Sequence, residues 1–318
     1  MHPQLFTYFI VAVLLFGLEL LYFRVAERFR IIDRPNERSS HAHPTIRGGG
    51  IIFLIAALLF SLFHGGSYPL LMGALLLSGL VSFVDDIRSL PTWMRFLSHL
   101  CSGLLVLNEA GLTGLPAVYL LVIIILIIGI INAYNFMDGI NGITGLYGLA
   151  VVAPLFFTEQ NAQIKDLQLY TIIGLLVFLF FNARKKARCF AGDVGSVTMA
   201  ILIVFFLIVR IAETQNINYL GFLLLYGTDT VLTIVQRLYL RENILKAHRR
   251  HLFQIYCNEY KVPHLVMSSV YAVVQFGVNW YIIGAGNSYQ VLSTLILIAG
   301  TVYILLKFMA YRGLRKQG

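Results

Sequence analysis

Charge is scarce in this chain. Only 12% of its 318 residues are Asp, Glu, Lys or Arg, whereas a soluble domain carries about a quarter. That shortage excludes an ordinary water-soluble globule, which interrupts its apolar runs far more often. In its place stand 58% hydrophobic residues and a mean hydropathy of +0.78. Paired thiols are missing too: Cys101, Cys189 and Cys257 form no C-x-x-C motif. Two of them fall in basic loops read below as cytoplasmic, so reduced thiols are expected. The first apolar run follows only His2, with no basic leader and no small-residue cleavage site. It reads as an uncleaved first helix, not a removable signal peptide. There is no internal repeat and no low-complexity tract, so residues 1–318 read as a single integral-membrane domain.

What is present is a series of apolar runs. Leu5–Phe23, Val118–Ile131 and Ala200–Val209, with their flanks, reach the roughly 20 residues that cross a bilayer as a helix. Reading runs against breakers predicts an all-α, polytopic transmembrane protein of about eleven spans. They start near residues 4, 49, 68, 95, 116, 142, 168, 196, 217, 264 and 289. The net charge of +9 could suggest nucleic acid. The basic residues, however, sit in short loops between spans, where topology alone puts them, so no nucleic-acid partner is expected. With the N-terminus outside, all but Lys165 and Arg210 of the 24 Lys and Arg residues fall on the inner side, the last of them in a tail that begins at Lys307. The expected orientation is N-out, C-in.

Against that frame the segment "SFVDDIRSLP" places Asp85 and Asp86 at the inner end of the third span. A carboxylate at mid-bilayer costs about 2.5–3.5 kcal/mol on insertion scales, so the membrane edge is the favourable place for the pair. The same pair also suits a helix that merely ends. The inner loop "NAYNFMDGINGITG" has no basic residue but holds Asn135, Asp138 and Asn141 at i, i+3 and i+6, which would align them on one helix face. Its glycines permit close approach of a ligand. Oxygen donors without cysteine suit a hard cation such as Mg²⁺, though a polar glycine-rich turn reads the same way. In "RKKARCFAGDVGS" cations including Arg188 precede Asp193, which opens the eighth span. A helix N-terminus beside cations and a carboxylate suits a phosphate–metal complex. It is equally an ordinary cap, with Asp or Ser as the N-cap. "KAHRRHLFQ" sets His248 and His251 at i, i+3 among cations; an anion site, a metal site and a solvated basic loop all remain open. The first inner loop adds Ser39, Ser40, His41, Arg47 and the glycines 48–50. Together these loops gather acids, amides, histidines and arginines on one face, with little comparable outside. That suits a metal-bound diphosphate attacked by a second, lipid-borne phosphate.

The stretches "PTIRGGG", "VDDIRSLP", "NFMDGINGITG", "FAGDVGS" and "AHRRHLFQ", in that order, resemble the polyprenyl-phosphate N-acetylhexosamine-1-phosphate transferases. These are of the glycosyltransferase family 4 type, and the last stretch is similar to the branch that initiates O-antigen and capsule. The resemblance implies transfer of a sugar-1-phosphate from a UDP-sugar to undecaprenyl phosphate, with release of UMP, in a bacterial inner membrane. It implies Mg²⁺, with Mn²⁺ as a substitute. Asp193 matches the main metal-binding carboxylate, and Asn135 a position tied to metal and nucleotide. Asp85 and Asp86 match an acidic pair that activates the lipid phosphate and organises the metal. His248 and His251, helped by Arg47 and Arg188, would hold phosphates or sugar. Asp138 and Asn141 count among the substrate-binding positions, and Asp229 matches an aspartate with a supporting role. The chain departs from the family in having Asn141 where an acid is usual, and in lacking a proline before "FAGDVGS". Neighbouring helical residues diverge by about 100°, so Asp85 and Asp86 are expected to have different tasks. A homodimer is one assembly the resemblance admits. A transporter and an inactive homologue are the alternatives from other classes.

Overall fold

The computed structural model describes residues 3–35, 43–244 and 248–314. Ser39, Ser40 and His41 lie outside these described residues. The protein is an all-α polytopic membrane protein. Its helices are α1 (Pro3–Phe29), α2 (Ile51–Phe63), α3 (Pro69–Ile87), α4 (Thr92–Glu109), α5 (Ala117–Met137), α6 (Ile143–Thr158), α7 (Ala162–Asn182) and α8 (Gly192–Thr214). A 3-10 turn at Ile217–Leu223 leads into α9 (Leu224–Tyr239), followed by the short α10 (Leu252–Asn258), α11 (His264–Ala285) and α12 (Tyr289–Leu314).

Eight helical segments are long and apolar enough to cross a membrane; α2 and α6 are apolar but shorter. At 1.5 Å per residue α2 covers about 20 Å, less than the roughly 30 Å hydrocarbon layer. The expected span starts fall close to the observed ones except at the seventh, where α7 begins at Ala162. Polar Lys165 and Asp166 fall before the expected start near 168, but Asn161 caps the helix by accepting from Gln163 N at 3.0 Å and Ile164 N at 3.3 Å. Prolines stand at the N-caps of α4, α5 and α11, where a missing N–H costs no helical bond.

Helix α8 is the most enclosed of the long helices, with 78% of its most apolar stretch buried. It packs on α2, α3 and α5. At the other extreme only 11% of the most apolar stretch of α12 is buried, and its apolar side chains face outward as a lipid-exposed helix requires. The 3-10 turn is held by Gln275 of α11, which accepts from Leu225 N at 3.0 Å and donates to Gly221 O at 2.9 Å. Helix breaks in a membrane protein need such replacement partners.

Two features position the polar end of the bundle. The first is a miniature antiparallel pair, β1 (Ile32–Asp33) with β2 (Thr45–Ile46), extended by Ile46 bridging to Cys189. Phe190 N donates to Ile46 O at 2.8 Å, and Gly50 N to Ala191 O at 3.0 Å. The loop before α2 is thereby stitched to the loop before α8. The second is a glycine crossing: a Cβ on Gly50 would stand 2.3 Å from Gly195 Cα. Only glycine allows two backbones that close.

Candidate active site

Asp85 and Asp86 occupy the last turn of α3 and, as their angular separation requires, do different things. Asp86 is 7% exposed and reaches across to the start of α8. Its Oδ1 accepts from Asp193 N at 2.9 Å and its Oδ2 from Val194 N at 3.0 Å. Helix α8 has no side-chain cap of its own, since Ala191 occupies the N-cap position. The expectation that Asp193 or Ser196 caps this helix is therefore corrected: Asp86 supplies the cap from another helix, satisfying N–H groups that would otherwise be orphaned. Gly192, at φ +70°, lets it approach, because a Cβ there would lie 2.5 Å from Asp86 Oδ2. Arg47 Nε completes the cluster at 2.6 Å from Asp86 Oδ1.

Asp85 faces the other way. It accepts from Leu90 N at 2.5 Å, with Arg95 Nη1 at 3.4 Å. Its carboxylate meets that of Asp193, which also meets the Asn135 amide. Arg47 Nη2 stands 3.3 Å from Asp193 Oδ1, so one guanidinium bridges Asp86 and Asp193. Arg47 is aimed by Tyr22, whose hydroxyl donates to the Arg47 carbonyl at 2.5 Å. Asp138, just past the end of α5, accepts from Thr144 Oγ1 at 2.5 Å. Burial pushes its carboxyl up to about 6, against the opposing Thr144 hydrogen bond.

The chemistry of this donor set fits a hard cation: Asp85, Asp193 and Asn135 offer oxygen, and the Asp85–Asp193 approach sets like charges together. Among the described residues no group of three or more His, Cys, Asp or Glu is arranged to hold a metal ion.

The remaining expected site residues are placed differently. Asn135, Asp138 and Asn141 do not share a helix face, because α5 stops at Met137 and the chain turns through Gly139 and Gly142. Asn141 is 5% exposed, and its amide donates to Arg184 O at 2.8 Å. The glycines of this turn make room for protein: a Cβ on Gly139 would stand 3.0 Å from Phe253, and one on Gly145 2.6 Å from Leu179. Asn182 ties the turn to the α7–α8 loop, accepting from Gly142 N at 2.7 Å and donating to Cys189 O at 2.8 Å. The Arg188 guanidinium lies over the Phe23 ring, 4.7 Å from its centroid. Burial pushes the Cys189 thiol well above its ordinary range, which keeps it from serving as a nucleophile.

His248 and His251 do come together, ring centroids 4.9 Å apart. Burial, then His251 and Arg237, pull His248 down to about 4, so it is neutral at pH 7. His251 is 2% exposed and packs near Phe136, the neighbour of Asn135. Its Nδ1 lies 3.1 Å from Asp229 Oδ1. Two inner-loop cations prove to be interior. Arg237 is 3% exposed, donating to the carbonyls of Asn243 and Ile244, and Lys307, assigned above to a tail, is 6% exposed within α12. A lone Lys in an apolar helix was the available signal for that residue. Tyr271 and Tyr303, which join it around Asp229, carried none.

The far end of the bundle is not bare either. Tyr8 donates to Asp166 at 2.8 Å, His64 sits 3.2 Å from the same carboxylate, and Glu109 accepts from Leu70 N and Leu71 N at the start of α3.

Residues 68–211 match the family model described as Glycosyl transferase family 4. The match covers under half of the 318 residues, and supports a glycosyl transferase at the level of that family. It spans Asp85, Asp86, Asn135, Asp138 and Asp193; Arg47, Asp229, His248 and His251 fall outside it. No curated protein matches the chain.

Proposed function

We propose that this chain is a membrane-embedded transferase that moves a sugar-1-phosphate, of the N-acetylhexosamine class, from a UDP-sugar to undecaprenyl phosphate. The observation that carries the reading is the meeting of Asp85, Asp193 and Asn135 at the ends of α3, α8 and α5, braced by Asp86 and Arg47. Such a site needs a substrate that brings phosphate and a divalent cation together. A lipid phosphate reaching the membrane edge is the second substrate. The chain would then act in a bacterial inner membrane, N-out and C-in, at the first membrane step of a cell-surface glycan.

In the reaction an oxygen of the lipid phosphate attacks the sugar-bearing phosphorus. A new P–O bond forms, the bridging P–O bond to the nucleotide breaks, and UMP leaves. Bound Mg²⁺ would neutralise charge on the diphosphate and on the departing UMP. Asp193 and Asn135, with Asp85, are the groups that would hold it. Asp86 keeps the α8 N-terminus and Arg47 in register, which is orientation and not chemistry. Arg47, already between two carboxylates, is the cation placed to meet a phosphoryl oxygen once a ligand competes for it.

The test uses purified protein with undecaprenyl phosphate, Mg²⁺ and a panel of UDP-N-acetylhexosamines, following UMP. Lipid-dependent UMP release that disappears with EDTA and in Asp193→Ala is the expected result. UMP release without lipid would replace the two-substrate reading with hydrolysis.

A further inference from the structure

Asp229 is 0% exposed, and every group around it is a donor. Tyr271 donates to its Oδ2 at 2.7 Å. Its Oδ1 receives Tyr303 OH at 2.9 Å, Thr233 Oγ1 at 3.2 Å and Leu252 N at 3.2 Å. The hydroxyl directions follow from Lys307, whose ammonium stands 2.9 Å from Thr233 Oγ1 and 2.8 Å from Tyr303 OH. An ammonium only donates, so both oxygens accept from it; they also stand 2.9 Å from each other, so at least one of their two hydrogens turns to Asp229, to which Leu252 N donates in any case. A carboxylate so surrounded has no proton to offer His251. The hydrogen between them therefore sits on His251 Nδ1, and Nε2 is left as a bare acceptor. That Nε2 is buried and has no hydrogen-bond partner among the described residues. The ring is held between His248 and Phe253, at centroid distances of 4.9 and 5.8 Å, beside Phe136 of α5.

We infer that Asp229 is a positioning residue for the transfer: it fixes His251 as the Nδ1–H tautomer, so that Nε2 accepts a hydrogen bond from a ligand O–H group. The inference rests on the transferase reading for its ligand, and brings α9, α11 and α12, all beyond the family match, into the site. A fully ionised phosphate has no O–H and is not what this nitrogen takes from a neutral imidazole. The O–H belongs either to the sugar nucleotide or to a phosphate monoester that arrives with its proton.

The test is nitrogen-15 NMR of the full chain in lipid nanodiscs at pH 8 with labelled histidine, His251 being identified by its loss in His251→Gln. Wild type should show Nδ1–H and bare Nε2; Nε2–H or a mixture would overturn the inference. Four groups able to donate, His251 Nδ1 and Leu252 N among them, stand on Asp229 Oδ1 and one on Oδ2, so the oxygen of Asp229→Asn takes the Oδ1 position. That variant should keep the tautomer and lose less than about 10-fold in kcat/KM, whereas Asp229→Ala should mix the tautomers and lose about 100-fold in kcat/KM, with KM raised for the substrate that carries the O–H. Loss of activity in both with the tautomer unchanged would mean a purely structural role. Adding a UDP-sugar or farnesyl phosphate separately should shift Nε2 with one of them, naming the source of the O–H; a shift with neither overturns the acceptor role. The wild-type tautomer requires neither turnover nor any Asp229 variant to fold, so failure of the transferase reading would be seen separately, as absent UMP release.

Discussion

The division of labour between Asp85 and Asp86 can be tested by separating stability from activity. In Asp86→Ala the N–H groups of Asp193 and Val194 lose their acceptor, and the Arg47 guanidinium loses the partner at 2.6 Å. Each buried N–H left without an acceptor costs about 1–3 kcal/mol, while Arg47, a third exposed and still 3.3 Å from Asp193, adds about 1 kcal/mol at most. One carboxylate serves all of these groups, so about 2–4 kcal/mol is the whole expectation. In Asp85→Ala the losses are the Leu90 N–H bond, next to exposed Arg88 and Ser89 where water substitutes, and a half-exposed contact with Arg95. These sum to about 1 kcal/mol. The buried thiols of Cys189 and Cys257 provide the assay: a fluorogenic maleimide reports their exposure on heating, with Cys101 replaced by serine to remove the more accessible site. Asp86→Ala should unfold well below wild type and Asp85→Ala close to it, while both lose UMP release. Equal stability of the two variants, or a larger loss in Asp85→Ala, would refute the assignment of the cap to Asp86.

The other expectations use the same thermal assay. Gly195→Ala places a Cβ 2.6 Å from Gly50 Cα, and backbone cannot step aside, so about 3 kcal/mol should be lost, the upper range for overpacking; an unshifted midpoint would contradict the crossing. Asp138 titrates at about 6 in the fold against an ordinary 3.8. The folded chain therefore holds the proton longer than the unfolded one, and stability falls as pH rises through that window. Asp138→Asn, in EDTA, should be the more stable protein above pH 6 by up to about 3 kcal/mol, with the gap closing below pH 4. A gap independent of pH would show that the charge is not its cause. Asn141→Asp turns a donor facing Arg184 O into an acceptor and should cost about 1–3 kcal/mol, although an acid there would bring the chain closer to the family's pattern.

Much of the architecture was legible because a bilayer imposes one simple rule, a long apolar run per span. The gathering of polar loops at one end was legible for the same reason, and the 100° between Asp85 and Asp86 already implied distinct roles. What local pattern could not carry is pairing over distance. The "GDVGS" stretch looks like a self-capping helix start, yet its acceptor lies 107 residues earlier in the chain, at Asp86. The spacing of Asn135, Asp138 and Asn141 suggests a helix face only while the helix is assumed to continue, and α5 ends between the first two.

A carboxylate that braces and a carboxylate that reacts look alike in a sequence, and what separates them is the inventory of donors each has met. Asp86 and Asp229 are buried and filled by backbone, guanidinium, hydroxyl and imidazole donors, which leaves neither an oxygen to spare for a ligand. Asp193 opposes another carboxylate and shares Arg47 with Asp86, and so retains capacity that protein groups do not satisfy. Unsatisfied acceptor capacity at the membrane edge costs free energy in the free protein, and a bound cation or a ligand recovers it. The same reasoning applied to Lys307 explains why a charged residue stands in so apolar a helix. Its ammonium donates to the two hydroxyls beside Asp229, and Asp229 in turn holds Nδ1 of His251.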